Sequence, residues 1–79
     1  MKVLKIDRGS VEVEIEGDIL RISGEAMLPN QASGISEYIL YQNTLHWQNI
    51  AIHPSINEQE VFAFLKTEFA KRNLLLIIQ

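Results

Sequence analysis

The chain lacks cysteine altogether and holds only two prolines and four glycines in 79 residues. Neither a disulfide nor a cysteine zinc site can therefore brace it. A core, or a partner, must supply the stability. At the usual ~0.05–0.15 kcal/mol per residue that stability is roughly 4–12 kcal/mol. A chain this short buries only a little over ~60% of its unfolded surface. Long hydrophobic runs are missing too. No 18-residue apolar stretch spans a membrane, and the Met-Lys start lacks the apolar stretch of a signal peptide. The expectation is a cytoplasmic protein with no membrane partner. Positive charge is scarce: seven Lys and Arg against ten Asp and Glu, a net of −3. Phosphate binding needs clustered cations, so the balance argues against nucleic acid. Gly9, Gly17, Gly24 and Gly34 stand singly and form no phosphate-cradling loop.

What is present is an ordinary globular composition, 47% hydrophobic and 22% charged, enough for one domain over residues 1–79. The first half reads as strands. Val3, Leu4 and Ile6 form a short apolar stretch, and Arg8-Gly9-Ser10 is turn chemistry in which Gly9 is free to take φ > 0. Val11, Val13 and Ile15 alternate with Glu12, Glu14 and Glu16. That period of two marks a half-buried strand with an acidic outer face. Gly17-Asp18 turns the chain into a third strand, Ile19 to Ile22, so a hairpin is expected. A loop runs from Gly24 to Gly34. Ile35 to Tyr41 is a fourth strand, Gln42-Asn43 a two-residue turn, and Thr44 to Gln48 a fifth strand paired back on the fourth. Asn49 to Ser55 is a connection with Ile50 and Ile52 packed inward, and Pro54 discourages a strand there.

The helix is the best-marked element. Asn57 suits an N-cap, Glu60 completes a capping box, and Ile56 with Val61 fits a hydrophobic staple. Val61, Phe62, Phe64, Leu65 and Phe69 follow helical spacing. Lys71 and Arg72 suit the negative end of the helix dipole, and Asn73 the stop. Leu74 to Ile78 is then a short apolar run, expected as a buried strand. The fold expected is α+β: a curved, mostly antiparallel sheet of five to six strands, packed on one helix in the C-terminal half, with a last strand after it. If that strand joins in parallel, its crossover is right-handed. One helix covers one sheet face, so the other must curl on itself, lie under the long loop or meet another molecule. A strongly curved sheet or a homodimer is the expectation.

Candidate sites are few. Glu12, Glu14 and Glu16 are either a solvated face that discourages aggregation or a docking surface for a basic protein. A flat ladder does not converge on a metal ion, so no metal is expected. His46 and His53 have no cysteine or carboxylate near them in sequence. They are expected as ordinary polar residues rather than as a catalytic pair or zinc ligands. Trp47, Tyr38 and Tyr41 fit core packing. Yet Tyr38 to Asn57 is twenty residues with no Asp, Glu, Lys or Arg. Interface cores lose charge and gain Trp and Tyr, so Tyr41, His46 and Trp47 join the glutamates as partner-binding candidates. No catalytic residue and no cofactor is expected.

Two segments carry a family resemblance. Ile6-Asp7-Arg8-Gly9-Ser10, leading into the alternating strand, resembles the opening of small bacterial immunity proteins of polymorphic toxin systems. Tyr38-Ile39-Leu40-Tyr41-Gln42-Asn43-Thr44-Leu45-His46-Trp47 is similar to their strand-turn-strand ending in Trp, and the acidic helix start and short last strand fit as well. That family tends to follow the Trp with a polar, proline-containing loop. Here Gln48 to His53 is more apolar and Pro54 comes late. The resemblance implies a non-catalytic protein that neutralises a cognate toxin by occluding it. It carries over no individual binding residue. The alternative is a small homo-oligomerising domain with no toxin partner, and a small enzyme built on the histidines is the third.

Overall fold

The computed structural model describes residues 1–28, 34–49 and 57–79. Its strands are β1 (Lys2–Ile6), β2 (Ser10–Ile15), β3 (Asp18–Ala26), β4 (Ser36–Leu40), β5 (His46–Trp47) and β6 (Leu74–Ile78), with one helix, α1 (Glu58–Lys71). The sheet order is β1-β2-β3-β4-β6, and β5 pairs with β3. All pairings are antiparallel except β4 with β6, which is parallel. The sheet is curled and the fold is α+β, as expected. The described residues extend over 46 × 19 × 19 Å.

The alternation of β2 sets the layers. Val11, Val13 and Ile15 face inward and are fully buried with Leu20 and Ile22 of β3 and Tyr38 and Leu40 of β4. α1 lays Val61, Phe62, Leu65 and Phe69 on this face, and Leu76 of β6 closes the core. The β2–β3 turn is Glu16-Gly17, with φ of 49° and 84°, one residue earlier than Gly17-Asp18. Positive φ at both central residues is the two-residue turn whose twist matches the strands. Glu16 therefore leaves the strand. Gly9 does not use its freedom: its φ is not positive.

The expected β4–β5 hairpin does not form. A 3-10 turn at Gln42–Thr44 carries the chain onward in the same direction. β4 pairs with Gly24–Ala26, and β5 pairs with Leu20 and Arg21 on the same strand, β3. The turn is an insertion in one long path along β3. Ser23 holds it there: its carbonyl accepts from Tyr41 N–H at 3.0 Å, and its N–H donates to Thr44 Oγ1 at 3.0 Å. Thr44 Oγ1 in turn donates to Tyr41 O at 2.6 Å. A hydroxyl thus replaces one rung of the ladder, which keeps these backbone groups satisfied. β3 needs nine residues to serve both partners, more than the four expected.

Gly24 is where the sheet closes tightly. A Cβ there would lie 2.5 Å from Ile39 O and 2.5 Å from Tyr38 Cε1. The Tyr38 ring uses that space. It donates to Asp7 O at 2.6 Å and meets Phe69 edge-on at 5.4 Å. One side chain so joins the β1–β2 connection to the helix.

Asn57 caps α1, accepting from Gln59 N–H at 2.8 Å rather than closing a box with Glu60. The staple partner Ile56 lies outside the described residues, as do Ile50, Ile52, His53 and Pro54. Asn73 stops the helix at φ 58° and donates to Ala70 O at 3.0 Å. β6 spans Leu74–Ile78 with the expected bounds and joins in parallel with β4, but it is an edge strand rather than a buried one: only Leu76 is buried and Leu75 is exposed.

Candidate functional site

Side chains that alternate away from the core form the outer face of the sheet. The register puts Lys5, Glu12, Arg21 and His46 in one row across β1, β2, β3 and β5. The next row holds Lys2, Glu14 and Ile19, and Gln48 joins it by donating its N–H to Ile19 O at 2.9 Å. Tyr41 lies along the same face beyond Ser23. Its hydroxyl donates to Glu25 Oε2 at 3.2 Å. That bond to a carboxylate, ahead of desolvation and the Glu25 charge, raises the Tyr41 pKa above the usual phenol value.

Four of the six sequence candidates, Glu12, Glu14, Tyr41 and His46, thus share one face. Glu16 stands at its rim on the hairpin turn. Trp47 does not join them. It pairs opposite buried Leu20 and packs, half-buried, against the core. This is the core packing that its residue type first suggests, and the 3-10 insertion sets the register that turns it inward.

The acidic ladder is also less uniform than its sequence. Each strand beside β2 brings cations: Lys5 and Arg21 stand at the register of Glu12, and Lys2 at that of Glu14. Cross-strand opposite charges of this kind stabilise a pair modestly, by roughly 0.2–1 kcal/mol. The face is mixed in charge at its centre. Its acidic excess moves to the hairpin end, at Glu14 and Glu16.

The far half of the outer face differs. Glu25, Ile39 and Ile77 form one row, and Glu37 and Leu75 form another. Met27 extends the second row by donating its N–H to Glu37 O. Met27, Leu28, Ile35 and Leu75 are exposed there. A cleft of about 210 Å³ beside it is lined by Ile35, Ala70, Asn73, Leu74 and Leu75. Its lining includes no titratable side chain.

In the sequence Asp18 reads as a turn residue only. It is buried at 5% exposure. Its Oδ1 accepts from Ile19 N–H at 2.8 Å and from Asn49 N–H at 3.1 Å, tying the start of β3 to the end of β5. Oδ2 is buried without a hydrogen-bond partner. No local pattern distinguishes this carboxylate from an exposed turn aspartate. The Asn49 N–H that reaches its Oδ1 comes from a segment 31 residues away.

Among the described residues, no group of three or more His, Asp or Glu side chains is placed to hold a metal ion. None of the described helices is long and apolar enough to cross a membrane. Comparison with known proteins found no matching family model, no curated relative and no similar solved structure.

Proposed function

We propose that this chain is a non-catalytic protein-binding domain of the immunity type, acting in the cytoplasm. It would hold a cognate toxin with a basic surface and occlude it. The observation that carries the reading is the open outer face, where Glu12, Glu14, Tyr41 and His46 lie side by side with no described element over them. A broad, solvent-facing sheet face suits a protein partner better than a small substrate, since small ligands favour enclosed pockets. Charge complementarity at such a face speeds encounter and filters partners. Glu14 and Glu16 are the steering charges: on their stretch of the face two acids meet one cation, Lys2, whereas Glu12 stands between Lys5 and Arg21. Tyr41 and His46 are the contacts toward the centre of the face.

The test is co-expression with the product of the neighbouring gene, scored by cell survival and by co-purification. The chain should protect, and Glu14→Lys with Glu16→Lys should weaken capture while the far-UV spectrum stays unchanged. Both positions are exposed, so the fold tolerates the change. Full protection by the double variant would remove the acidic hairpin end from the mechanism. Failure of the unaltered chain to bind would remove the immunity reading itself.

A further inference from the structure

The two edges of the sheet are built differently. β1 carries Lys2 and Lys5 and a register shift between Val3 and Lys5. Charge and a bulge are the usual means of keeping an edge from pairing with another chain. β6, at the other edge, has neither. Leu74–Ile78 is five uncharged apolar residues in unbroken register with β4, flanked by Asn73 and Gln79. Gln79 faces β4, donating to Leu40 O and accepting from Gln42 N–H, both at 2.8 Å. Backbone groups along a strand point alternately to its two sides, so those of Leu75 and Ile77 also face β4. The N–H and C=O groups of Leu74, Leu76 and Ile78 point away from it, and no described strand takes them.

We propose that a second copy of this chain covers the edge, with β6 pairing antiparallel to β6 about a two-fold axis at Leu76. This register uses all three outward residues. It sets Leu76 against Leu76, Leu74 of one copy against Ile78 of the other, and Leu75 against Ile77. Apolar meets apolar on both faces of the joined sheet, and no charge is buried. Leu75, 52% exposed in the single chain, is covered.

The helix selects a second copy over a foreign strand. The turn at Arg72-Asn73 reverses the chain, so α1 runs back against β6. The two-fold axis then sets two α1 helices side by side and antiparallel on the same face. Each has Glu58 and Glu60 in its first turn and Lys71 in its last, followed by Arg72 at the cap. Glu68 pairs with Lys71 at 2.7 Å and with Arg72 at 3.8 Å, which leaves that end net positive. Each acidic helix start therefore approaches the basic helix end of the other copy, twice over. The helix dipoles oppose as well. This pairing does not rest on the proposed function, because the acidic hairpin end lies on the other half of the sheet.

The test is sedimentation of the unaltered chain, with amide exchange followed by NMR. The mass should rise with concentration from 9.0 kDa to twice that value. The amides of Leu76 and Ile78 should gain protection along with it, while those of Leu75 and Ile77 are protected throughout. A 9.0 kDa mass at every concentration overturns the pairing, as does a dimer in which the Leu76 and Ile78 amides exchange as fast as in dilute solution. Uptake of another protein's strand by a persistent monomer also overturns it. Two charge variants, Glu58→Lys with Glu60→Lys and Lys71→Glu with Arg72→Glu, should each self-associate roughly tenfold more weakly. Their equimolar mixture should restore association. A mixture of two folded variants no stronger than either alone refutes the antiparallel two-fold arrangement.

Discussion

Replacing Gly24 with Ala tests the close approach of β4 and the Tyr38 ring to the Gly24 backbone. The added methyl would meet Ile39 O and Tyr38 Cε1 at 2.5 Å each, and Leu40 Cδ2 at 3.0 Å. Comfortable carbon contacts begin at about 3.5 Å, so the ring and the carbonyl must each retreat by roughly 1 Å. The carbonyl belongs to β4 and cannot move without disturbing its ladder to β3. The ring cannot move without loosening the 2.6 Å hydrogen bond to Asp7 O. Overpacking costs about 1–3 kcal/mol, and the strained hydrogen bond adds about 0.5–1.5 kcal/mol. The lower entropy of an unfolded chain with Ala offsets about 0.4–1 kcal/mol. The net loss is roughly 0.5–4 kcal/mol, a sizeable part of a total of roughly 4–12 kcal/mol. Each kcal/mol should lower the melting temperature by roughly 4–8 °C in a domain of this size. The assay is urea unfolding of the Gly24→Ala and Gly9→Ala variants beside the parent. Gly9 has open space where a Cβ would go and no positive φ, so its Ala variant should match or slightly exceed the parent. If Gly24→Ala unfolds at the same midpoint as Gly9→Ala, the Tyr38 ring does not lie across Gly24 and the reasoning fails.

Two further expectations concern Tyr38. Tyr38→Phe keeps the edge-on ring contact with Phe69 but removes the donor to Asp7 O, so it should cost about 0.5–1.5 kcal/mol, read as a lower urea midpoint with an unchanged slope. A midpoint equal to the parent would show that water serves Asp7 O as well as the phenol does. Burial, with the Asp7 charge second, raises the Tyr38 pKa. A group whose pKa is raised by folding contributes stability that is whole below the unfolded value, near 10 for tyrosine, and is lost as pH rises through the folded value. Base should therefore destabilise the parent more steeply than Tyr38→Phe, and parallel alkaline unfolding curves would contradict this.

Much of the fold was legible because it is local. The Val11–Ile15 alternation, the Asn57 cap, the Asn73 stop and the Leu74–Ile78 run each state their structure within a few residues, and each element formed. The layers followed, since a strand with Val11, Val13 and Ile15 on one side has one way to face a core. The β4–β5 turn was not legible. Gln42-Asn43 resembles a hairpin turn in isolation, and only the pairing of Ser23 with Tyr41 and Thr44 makes it an insertion along β3. The inward turn of Trp47, opposite Leu20, follows from that single register. His46 and Glu12 met in one row for the same reason.

By itself, then, the sequence determined β2, the helix and the last strand, the inward residues of β2 and α1, and the absence of any cysteine staple, because periodicity and capping act over short distances. The three glutamates of the β2 segment were plain in it as well. Only tertiary structure decided what surrounds them: Lys2, Lys5 and Arg21 come from two other strands, and cross-strand register is a long-range property. Likewise Leu74–Ile78 was evidently a strand, but a run of apolar residues cannot say whether it lies in the middle of a sheet or at its rim. Its place beside β4, with one side of its backbone unpaired by any described strand, is a matter of strand order alone.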